Sequence, residues 1–246
     1  MTITELNKQF ESASLSELLA YVFDAYKDKV VLASSLGLED QLLTHYCLQA
    51  NPSARIFVLD TGRLNQETYD VMQRSRKKYA INYEVYYPDT HKIESLIRKK
   101  GPNSFYESIE NRKECCSIRK TEPLKRVLQT ADAWITGLRS AQSVTRQDMN
   151  LFEEDIVHKC IKINPLLKWS HQDVLDEIKR LEIPYNVLHD QGYPSIGCAP
   201  CTRAIQPGED IRAGRWWWET PEHKECGLHI VDGKLVPINK NNNNNG

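Results

Sequence analysis

The sequence predicts an α/β protein built on a mostly parallel sheet with flanking helices. Short apolar runs rich in β-branched residues alternate with longer segments of helical apolar spacing. That alternation is typical of parallel strands joined by crossover helices. The 246 residues also suffice for one large α/β domain with a sizeable core.

The predicted elements of the first half follow in regular order. A helix over residues 14–26 comes first, and its apolar residues recur at helical spacing. Strands and helices then alternate: DKVVLASS (strand), LEDQLLTHYCLQA (helix), ARIFVLDT (strand), NQETYDVMQRSRKKYA (helix), INYEVYYP (strand) and THKIESLIRKK (helix).

The second half is predicted to hold fewer regular elements. A mostly helical stretch over 103–128 leads to the strand DAWITGLR at 132–139. The helix SHQDVLDEIKRLE begins with a capping box formed by Ser170 and Asp173. After Pro184 the pattern loosens, and the final NKNNNNNG is typical of a disordered tail.

Composition argues against several classes of partner. The formal net charge of -1 gives no general attraction to nucleic acid or to an anionic membrane. No apolar run is long enough to span a bilayer, and MTITELNKQF lacks the pattern of a signal peptide. We therefore expect a cytoplasmic protein in which anions are bound by local clusters of basic residues.

Four of the seven cysteines form two close pairs, CysCys at 115–116 and CxxC at 198–201. Four thiolates can hold one tetrahedral zinc ion or one iron–sulfur cluster. Side chains of adjacent cysteines diverge, which favours a cluster over a single small ion. Two alternatives remain: the CxxC pair is a redox dithiol, or the CxxC and CysCys pairs are unrelated.

The other three cysteines are predicted to differ in role. Cys47 lies on the apolar side of a helix and Cys160 in a strand-like run, so both are expected in the core. Cys226, in KECGLH, has Lys224 and His229 nearby, and a basic neighbourhood favours the nucleophilic thiolate. An ordinary cysteine in the C-terminal tail is the alternative.

Three strand ends are rich in glycine, serine and arginine, which predicts one shared anion pocket. LASSLGLED places Ser34 and Ser35 between a strand and a helix, where backbone N–H groups could hold a phosphate. LDTGR ends the next strand, and TGLRSAQSVTR brings Gly137, Arg139 and Arg146. Parallel strands bind ligands at such carboxyl ends.

A further basic motif, IRAGRWWWE, supplies Arg212 and Arg215. Their spacing of three predicts two guanidinium groups on one helical face, suited to an anion. Surface charge beside a packed tryptophan cluster is the alternative, and we expect Trp216, Trp217 and Trp218 to serve packing.

These motifs together closely resemble the assimilatory adenylyl-sulfate reductases, the iron–sulfur branch of the PAPS/APS reductase family. The resemblance runs through SSLGLED, LDTGR, ECCSIRK, TGLRSAQS, GCAPC, GRWWWE and KECGLH. It implies an adenine nucleotide α-hydrolase-like, Rossmann-like fold with a mobile C-terminal segment. On this basis we expect a nucleotide- and cluster-binding domain over 1–210, a catalytic C-terminal segment over 211–238 and a disordered tail over 239–246.

The resemblance also implies the chemistry: thioredoxin-dependent reduction of adenosine 5′-phosphosulfate (APS) to sulfite and AMP, in the assimilation of sulfate toward cysteine. One [4Fe–4S] cluster per chain would be held by Cys115, Cys116, Cys198 and Cys201. Cys226 would be the nucleophile and would carry a thiosulfonate. Positions that bind the phosphosulfate or lie near the nucleophile correspond to Lys120, Arg212, Arg215 and His229. Those of the nucleotide pocket correspond to Ser34, Ser35, Leu59 and Gly137.

Two other functions stay open at this point. An ATP-dependent tRNA thiolase of the same fold would need a broad basic surface, which the balanced charge does not favour. A non-enzymatic iron–sulfur redox sensor would leave Arg212, Arg215 and Cys226 unexplained. Partners expected of the reductase are APS and thioredoxin, with no nucleic acid and no membrane, and a homo-oligomer is compatible with it.

Overall fold

The computed structural model describes residues 1–142 and 149–220. Within them the chain forms a six-stranded sheet in the order β3-β2-β1-β4-β6-β5. All neighbouring strands run parallel except β5, which pairs antiparallel with β6. The strands are β1 (Val30–Ser34), β2 (Arg55–Leu59), β3 (Glu84–Tyr86), β4 (Ala133–Ile135), β5 (Phe152–Asp155) and β6 (Cys160–Ile163).

Five of the eight helices in the described ranges begin after a residue whose side chain accepts a hydrogen bond from an N–H group of the first turn. Ser170 forms the predicted capping box with Asp173, and Ser14 forms the same motif with Glu17. The helices are α1 (Ile3–Gln9), α2 (Leu15–Tyr26), α3 (Leu38–Ala50), α4 (Gln66–Tyr79), α5 (Thr90–Lys100), α6 (Ile109–Cys116), α7 (Glu122–Leu128) and α8 (His171–Arg180).

The sheet is buried on both faces, as a parallel sheet requires. Alternate residues of β1 show this: Val30 and Leu32 belong to a large core with α2, α3 and α8, whereas Val31 belongs to a second core with α7. Cys47 is fully buried in the large core, and Cys160, 5% exposed, lies in the second. The expectation that both are core residues is confirmed.

The predicted fold class is confirmed, and two elements were missed. Helix α1 is only seven residues long, so its apolar spacing gives little signal. Strand β5 has the sequence FEED and forms the edge of the sheet. Its three acidic residues lack the apolar pattern from which a strand is predicted. The antiparallel β5–β6 pairing adds a hairpin to the parallel order.

The direction in which the strands are added changes at β1. Strands β2 and β3 extend the sheet on one side of β1, and β4 and β6 extend it on the other. Such a reversal leaves a crevice outside the carboxyl ends of the two central strands. In both described ranges, no helix combines the length and apolarity that crossing a bilayer would need.

Candidate nucleotide and cysteine site

A cavity of about 270 Å³ lies in this crevice, at the carboxyl ends of β1, β2 and β4. Apolar side chains such as Phe57, Val58 and Trp134 form part of its wall. The structure brings eight of the predicted catalytic and substrate-binding residues together around it: Ser34, Ser35, Leu59, Lys120, Gly137, Arg139, Arg212 and Arg215. Three others, Arg146, Cys226 and His229, lie outside the described residues.

The turn between β1 and α3 is held by a buried carboxylate. Both the N–H and the hydroxyl of Ser35 donate to Asp40, each at 2.6 Å. The N–H of Leu36 donates to Oγ of Ser34 at 3.2 Å. The turn therefore uses two of its own N–H groups internally, whereas the sequence predicted such groups as phosphate ligands.

Asp40 also connects this turn to the end of β4. The N–H of Gly137 donates to its carboxylate, and a Cβ atom at Gly137 would overlap Oδ1 of Asp40. Burial raises the pKa of Asp40 to about 6, although the hydrogen bonds from Ser35 and Gly137 act in the opposite direction. Position 137 must be glycine for the two strand ends to approach this closely.

Arg139 lines the cavity, but its charge is paired. Its Nε lies 2.9 Å from Oε1 of Glu39, and the two side chains are 3% and 16% exposed. The side chain of Gln142 donates to the same Glu39 oxygen at 3.0 Å. The positive charge that the sequence assigned to substrate binding at this position is therefore largely offset by Glu39.

Arg212 and Arg215 reach the cavity without a helix. The prediction that they share a helical face is wrong, because residues 211–219 form consecutive turns and Arg215 bridges to Thr202. The N–H of Arg215 donates to the carbonyl of Arg212 at 2.9 Å, which brings both side chains to the same wall. The guanidinium of Arg215 lies against Gly197, where any Cβ would overlap it, and donates to Ser195 at 3.2 Å.

The two cysteine pairs meet in a second, smaller cavity. Cys115 and Cys116 from the end of α6 line it together with Cys198 and Cys201. Phe105 and Trp216 pack against these four residues. The predicted grouping of CysCys with CxxC is thus found in the structure, and all four thiols are free of disulfides.

Lys120 and Cys198 line both cavities. Lys120 lies on a π-helical turn, Ser117–Thr121, that follows the cysteine pair of α6, and such turns are common at functional sites. Burial opposes ionisation of Cys198, but the charge of Lys120, a hydrogen bond to Thr61 and further cations together lower the pKa of its thiol. Lys120 therefore faces the cysteines on one side and the large cavity on the other.

The four thiols of this cavity match the ligand set of an iron–sulfur cluster. Across residues 1–142 and 149–220, no three His, Cys, Asp or Glu side chains converge tightly enough to hold one metal ion. The four cysteines nevertheless share one sequestered cavity, and four thiolates are the usual ligand set of an iron–sulfur cluster. The donor set present therefore fits the cluster that the sequence predicts.

Several residues of the site were not identified from the sequence. Asp40 could have been found as an acidic residue in the first turn of α3, and Gly197 as the glycine before Cys198. The prediction that the tryptophans serve packing is confirmed for Trp216, which is 1% exposed, and for Trp218, which contacts the rings of Phe105 and Tyr106. Trp217 is 49% exposed but contacts the ring of Trp218.

Comparisons with a family model and with known proteins point to one family. Residues 29–204 match the family model of the phosphoadenosine phosphosulfate reductase domain. An adenosine 5′-phosphosulfate reductase of Burkholderia cepacia is 48% identical over 225 residues, which cover 92% of this chain and 90% of that protein. The enzyme of the same name from Allochromatium vinosum is 49% identical, with 88% and 84% covered.

Solved structures show the same fold. A phosphoadenylyl-sulfate reductase from Candida auris superposes with a TM-score of 0.71 at 26% identity, covering 82% of this chain and 96% of that one. The FMN adenylyltransferase of Candida glabrata superposes with a TM-score of 0.56 at 14% identity, covering 97% and 80%. At that identity the second likeness concerns the fold alone.

Proposed function

The chain belongs to the phosphoadenosine phosphosulfate reductase family, and we propose that it reduces APS to sulfite and AMP by way of a thiosulfonate on Cys226 that thioredoxin resolves. Its relatives are sulfur-group oxidoreductases named for APS, and they match about nine-tenths of the chain. The observation that carries the proposal is that the two cavities share the lining residues Lys120 and Cys198. Lys120 joins a nucleotide-sized cavity lined by arginines to a cavity lined by four cysteines.

The cavity supports binding of a nucleotide with an anionic end. Apolar residues Phe57, Val58 and Trp134 offer a surface for a base, while Lys120, Arg212 and Arg215 supply cations. A thiolate that approaches a phosphosulfate meets like charge, so fixed cations are needed to lower the barrier. We assign this role to Lys120 and the two arginines.

In the first step, the thiolate of Cys226 attacks the sulfate sulfur of APS. The new S–S bond forms as the S–O bond to the phosphate breaks, and AMP leaves with that electron pair. Cys226 then carries the SO3 group as a thiosulfonate. We assign to His229, three residues further on, a role near this nucleophile.

In the second step, a thiolate of thioredoxin attacks the sulfur of Cys226 and displaces sulfite. The second thioredoxin thiol then resolves the mixed disulfide, regenerates Cys226 and leaves an oxidised thioredoxin. This dithiol supplies both electrons of the reduction, so the balance needs no other reductant.

Cys115, Cys116, Cys198 and Cys201 would hold one [4Fe–4S] cluster. When bound, it would contribute an organised electrostatic environment beside the substrate. Two hydrogen bonds at Thr61 hold Cys198 in place. Thr61 accepts a hydrogen bond from the Cys198 thiol at 3.2 Å, and a guanidinium N–H of Arg119 donates to the carbonyl of Thr61. These contacts connect the end of β2 to the cysteine loop.

Sulfite production from APS tests the proposal. Purified protein with its iron complement is mixed with APS and reduced thioredoxin, and sulfite and AMP are assayed together. Over many turnovers we expect both products in equal amounts. Without thioredoxin the protein should release one AMP per chain and no sulfite, and without APS it should form neither product. ATP-dependent activity on tRNA without sulfite release would instead support the thiolase, and absence of both activities would support the sensor.

A further inference from the structure

A buried ion pair joins α6, the helix that ends in Cys115 and Cys116, to the last residues that the structure describes. Nε of Arg112 lies 2.9 Å from Oε1 of Glu219, and Nη2 lies 2.8 Å from Oε2. The two side chains are only 1% and 3% exposed. Arg112 precedes Cys116 by one helical turn and also hydrogen-bonds to it.

Trp216 lies between two cations. The guanidinium of Arg112 is 4.9 Å from the Trp216 ring centroid, and that of Arg215 is 4.7 Å away. Trp216 is 1% exposed and has a φ of 40°, a conformation that a bulky residue adopts only when its surroundings impose it. Arg112 lines the small cavity of the four cysteines, whereas Trp216 and Arg215 line the large cavity. These three stacked side chains therefore connect the two cavities.

The backbone of this segment is fixed by further contacts. The N–H of Trp216 donates to the carbonyl of Cys201 at 3.1 Å, and the N–H of Glu219 donates to the carbonyl of Trp216 at 2.8 Å. Gly214 approaches the carbonyl of Arg203 so closely that a Cβ atom there would overlap it. The chain is therefore held against the CxxC loop up to Glu219.

A buried bidentate ion pair is poor support for stability alone, because desolvation offsets much of the attraction between the charges. It does specify geometry, since a carboxylate and a guanidinium pair in one planar arrangement. What it specifies here is the position of Glu219, which precedes Cys226 by seven residues. A chain of that length spans at most about 24 Å.

We propose that Glu219 is a positioning residue for the reaction. Through Arg112 it fixes, beside both cavities, the point from which the segment carrying Cys226 continues. The inference rests on the proposed function for its kinetic consequence. Loss of the pair leaves the substrate cavity intact but removes the side-chain contact that fixes Glu219, from which the chain continues to the nucleophile.

The test compares Glu219→Gln with the wild-type protein, both carrying iron. We expect kcat for APS reduction to fall by roughly 10- to 100-fold, the effect of misplacing a reacting group by about 1 Å. KM for APS, the Kd of AMP and the iron content remain unchanged. Tryptic cleavage after Lys224 becomes faster, because the segment is no longer anchored at its start.

The matched control is Glu84→Gln. Glu84 receives Nε and Nη2 of Arg55 at 2.7 and 3.0 Å, in the same bidentate geometry, but on β2 and β3 away from both cavities. We expect this variant to keep the wild-type kcat and cleavage rate. Glu219→Asp keeps the charge on a shorter side chain, so both readouts should fall between those of wild type and Glu219→Gln, and it replaces the latter if that variant does not fold.

Two results would overturn the inference. One is an unchanged kcat and cleavage rate in Glu219→Gln. The other is a loss of kcat that parallels loss of iron or of AMP affinity, which would make the role structural. If the wild-type protein reduces no APS, the proposed function fails, while AMP affinity and cleavage after Lys224 still decide whether Glu219 anchors the segment.

Discussion

Ser35 donates both its N–H and its hydroxyl to one carboxylate oxygen of Asp40, each at 2.6 Å. The turn after β1 is thereby closed on its own carboxylate. Leu36 in the same turn has a φ of 63° and is fully buried, a strained conformation that the surrounding contacts must maintain. The shape of this end of the cavity therefore depends on Asp40.

We predict that Asp40→Asn changes how stability depends on pH. Burial raises the pKa of Asp40 to about 6, so between about pH 4 and pH 6 the folded protein keeps a proton that the unfolded chain has lost. The stabilising contribution of that proton is present at low pH and is lost as pH rises through 6. It amounts to about 3 kcal/mol.

Urea unfolding at pH 4.5 and at pH 7 measures this difference. We expect the free energy of unfolding of wild type, relative to Asp40→Asn, to fall by about 2 kcal/mol between the two pH values. The exposed Asp176, replaced by Asn, serves as a control. A parallel pH dependence in wild type and Asp40→Asn would contradict the prediction.

The alternation of strands and helices in the sequence was sufficient to predict the parallel sheet. It also predicted the meeting of Ser35, Leu59 and Gly137, because the carboxyl ends of parallel strands share one edge. Local spacing could not show that Arg139 pairs with Glu39, which precedes it by 100 positions. Such partners are decided by tertiary packing.

The same limit explains the error at Arg212 and Arg215. A spacing of three is compatible with a helix, but also with the hydrogen-bonded turn found here. The close approach of the chain to Gly197 and to the carbonyl of Arg203 selects the turn. These contacts join residues that are distant in the loosely patterned part of the sequence, where periodicity carries no information.

We predict that the four cysteines of the small cavity hold a [4Fe–4S] cluster. Serine at Cys115, Cys116, Cys198 or Cys201 should lower iron content and APS reduction together, because an alkoxide is a much poorer ligand for iron than a thiolate. Metal analysis and visible absorption of anaerobically prepared protein measure the cluster. Cys160→Ser changes a buried cysteine outside the cavity and should retain the iron, whereas zinc in place of iron would contradict the prediction.

We predict a higher kcat/KM for APS than for 3′-phosphoadenosine 5′-phosphosulfate. The second substrate adds a dianionic 3′-phosphate, which needs a further cation in the nucleotide cavity. Arg63, the basic residue after LDTG, instead lies 5.1 Å from the Phe105 ring centroid, donates to the carbonyl of Pro102 and lines the cysteine cavity. Measuring kcat/KM for both nucleotides under the same conditions tests this. An equal or higher kcat/KM for the 3′-phosphorylated nucleotide would contradict the prediction.

We predict that Gly197→Ala weakens APS binding. The added Cβ would overlap the guanidinium of Arg215, which must then leave its position on the cavity wall. Loss of one charge-assisted hydrogen bond costs about 1.5–3 kcal/mol, so KM should rise about ten-fold or more. Gly208→Ala is the control and should keep the wild-type KM, since a Cβ at Gly208 meets no neighbour within 4 Å. An unchanged KM in Gly197→Ala would contradict the prediction.

The last prediction concerns the nucleophile, which lies outside the described residues. The proposed reaction needs one thiolate that is not a metal ligand and can reach the sulfate. Four thiols line the small cavity, and burial raises the pKa of Cys47 and of Cys160, the latter to about 12. At neutral pH neither of these two is ionised to a useful extent.

Cys226, with Lys224 and His229 nearby in sequence, is the remaining candidate. Cys226→Ser should keep its iron and bind AMP normally but form no sulfite, because a serine hydroxyl is a far weaker nucleophile than a thiolate. Wild-type protein incubated with APS and no thioredoxin should gain the mass of one SO3 group, and Cys226→Ser should gain none. Cys47→Ala is the matched control and should still form the adduct, since Cys47 is fully buried in the core. Peptide mapping that locates the SO3 group on any cysteine other than Cys226 would identify a different nucleophile and, with it, a different path for sulfur through the site.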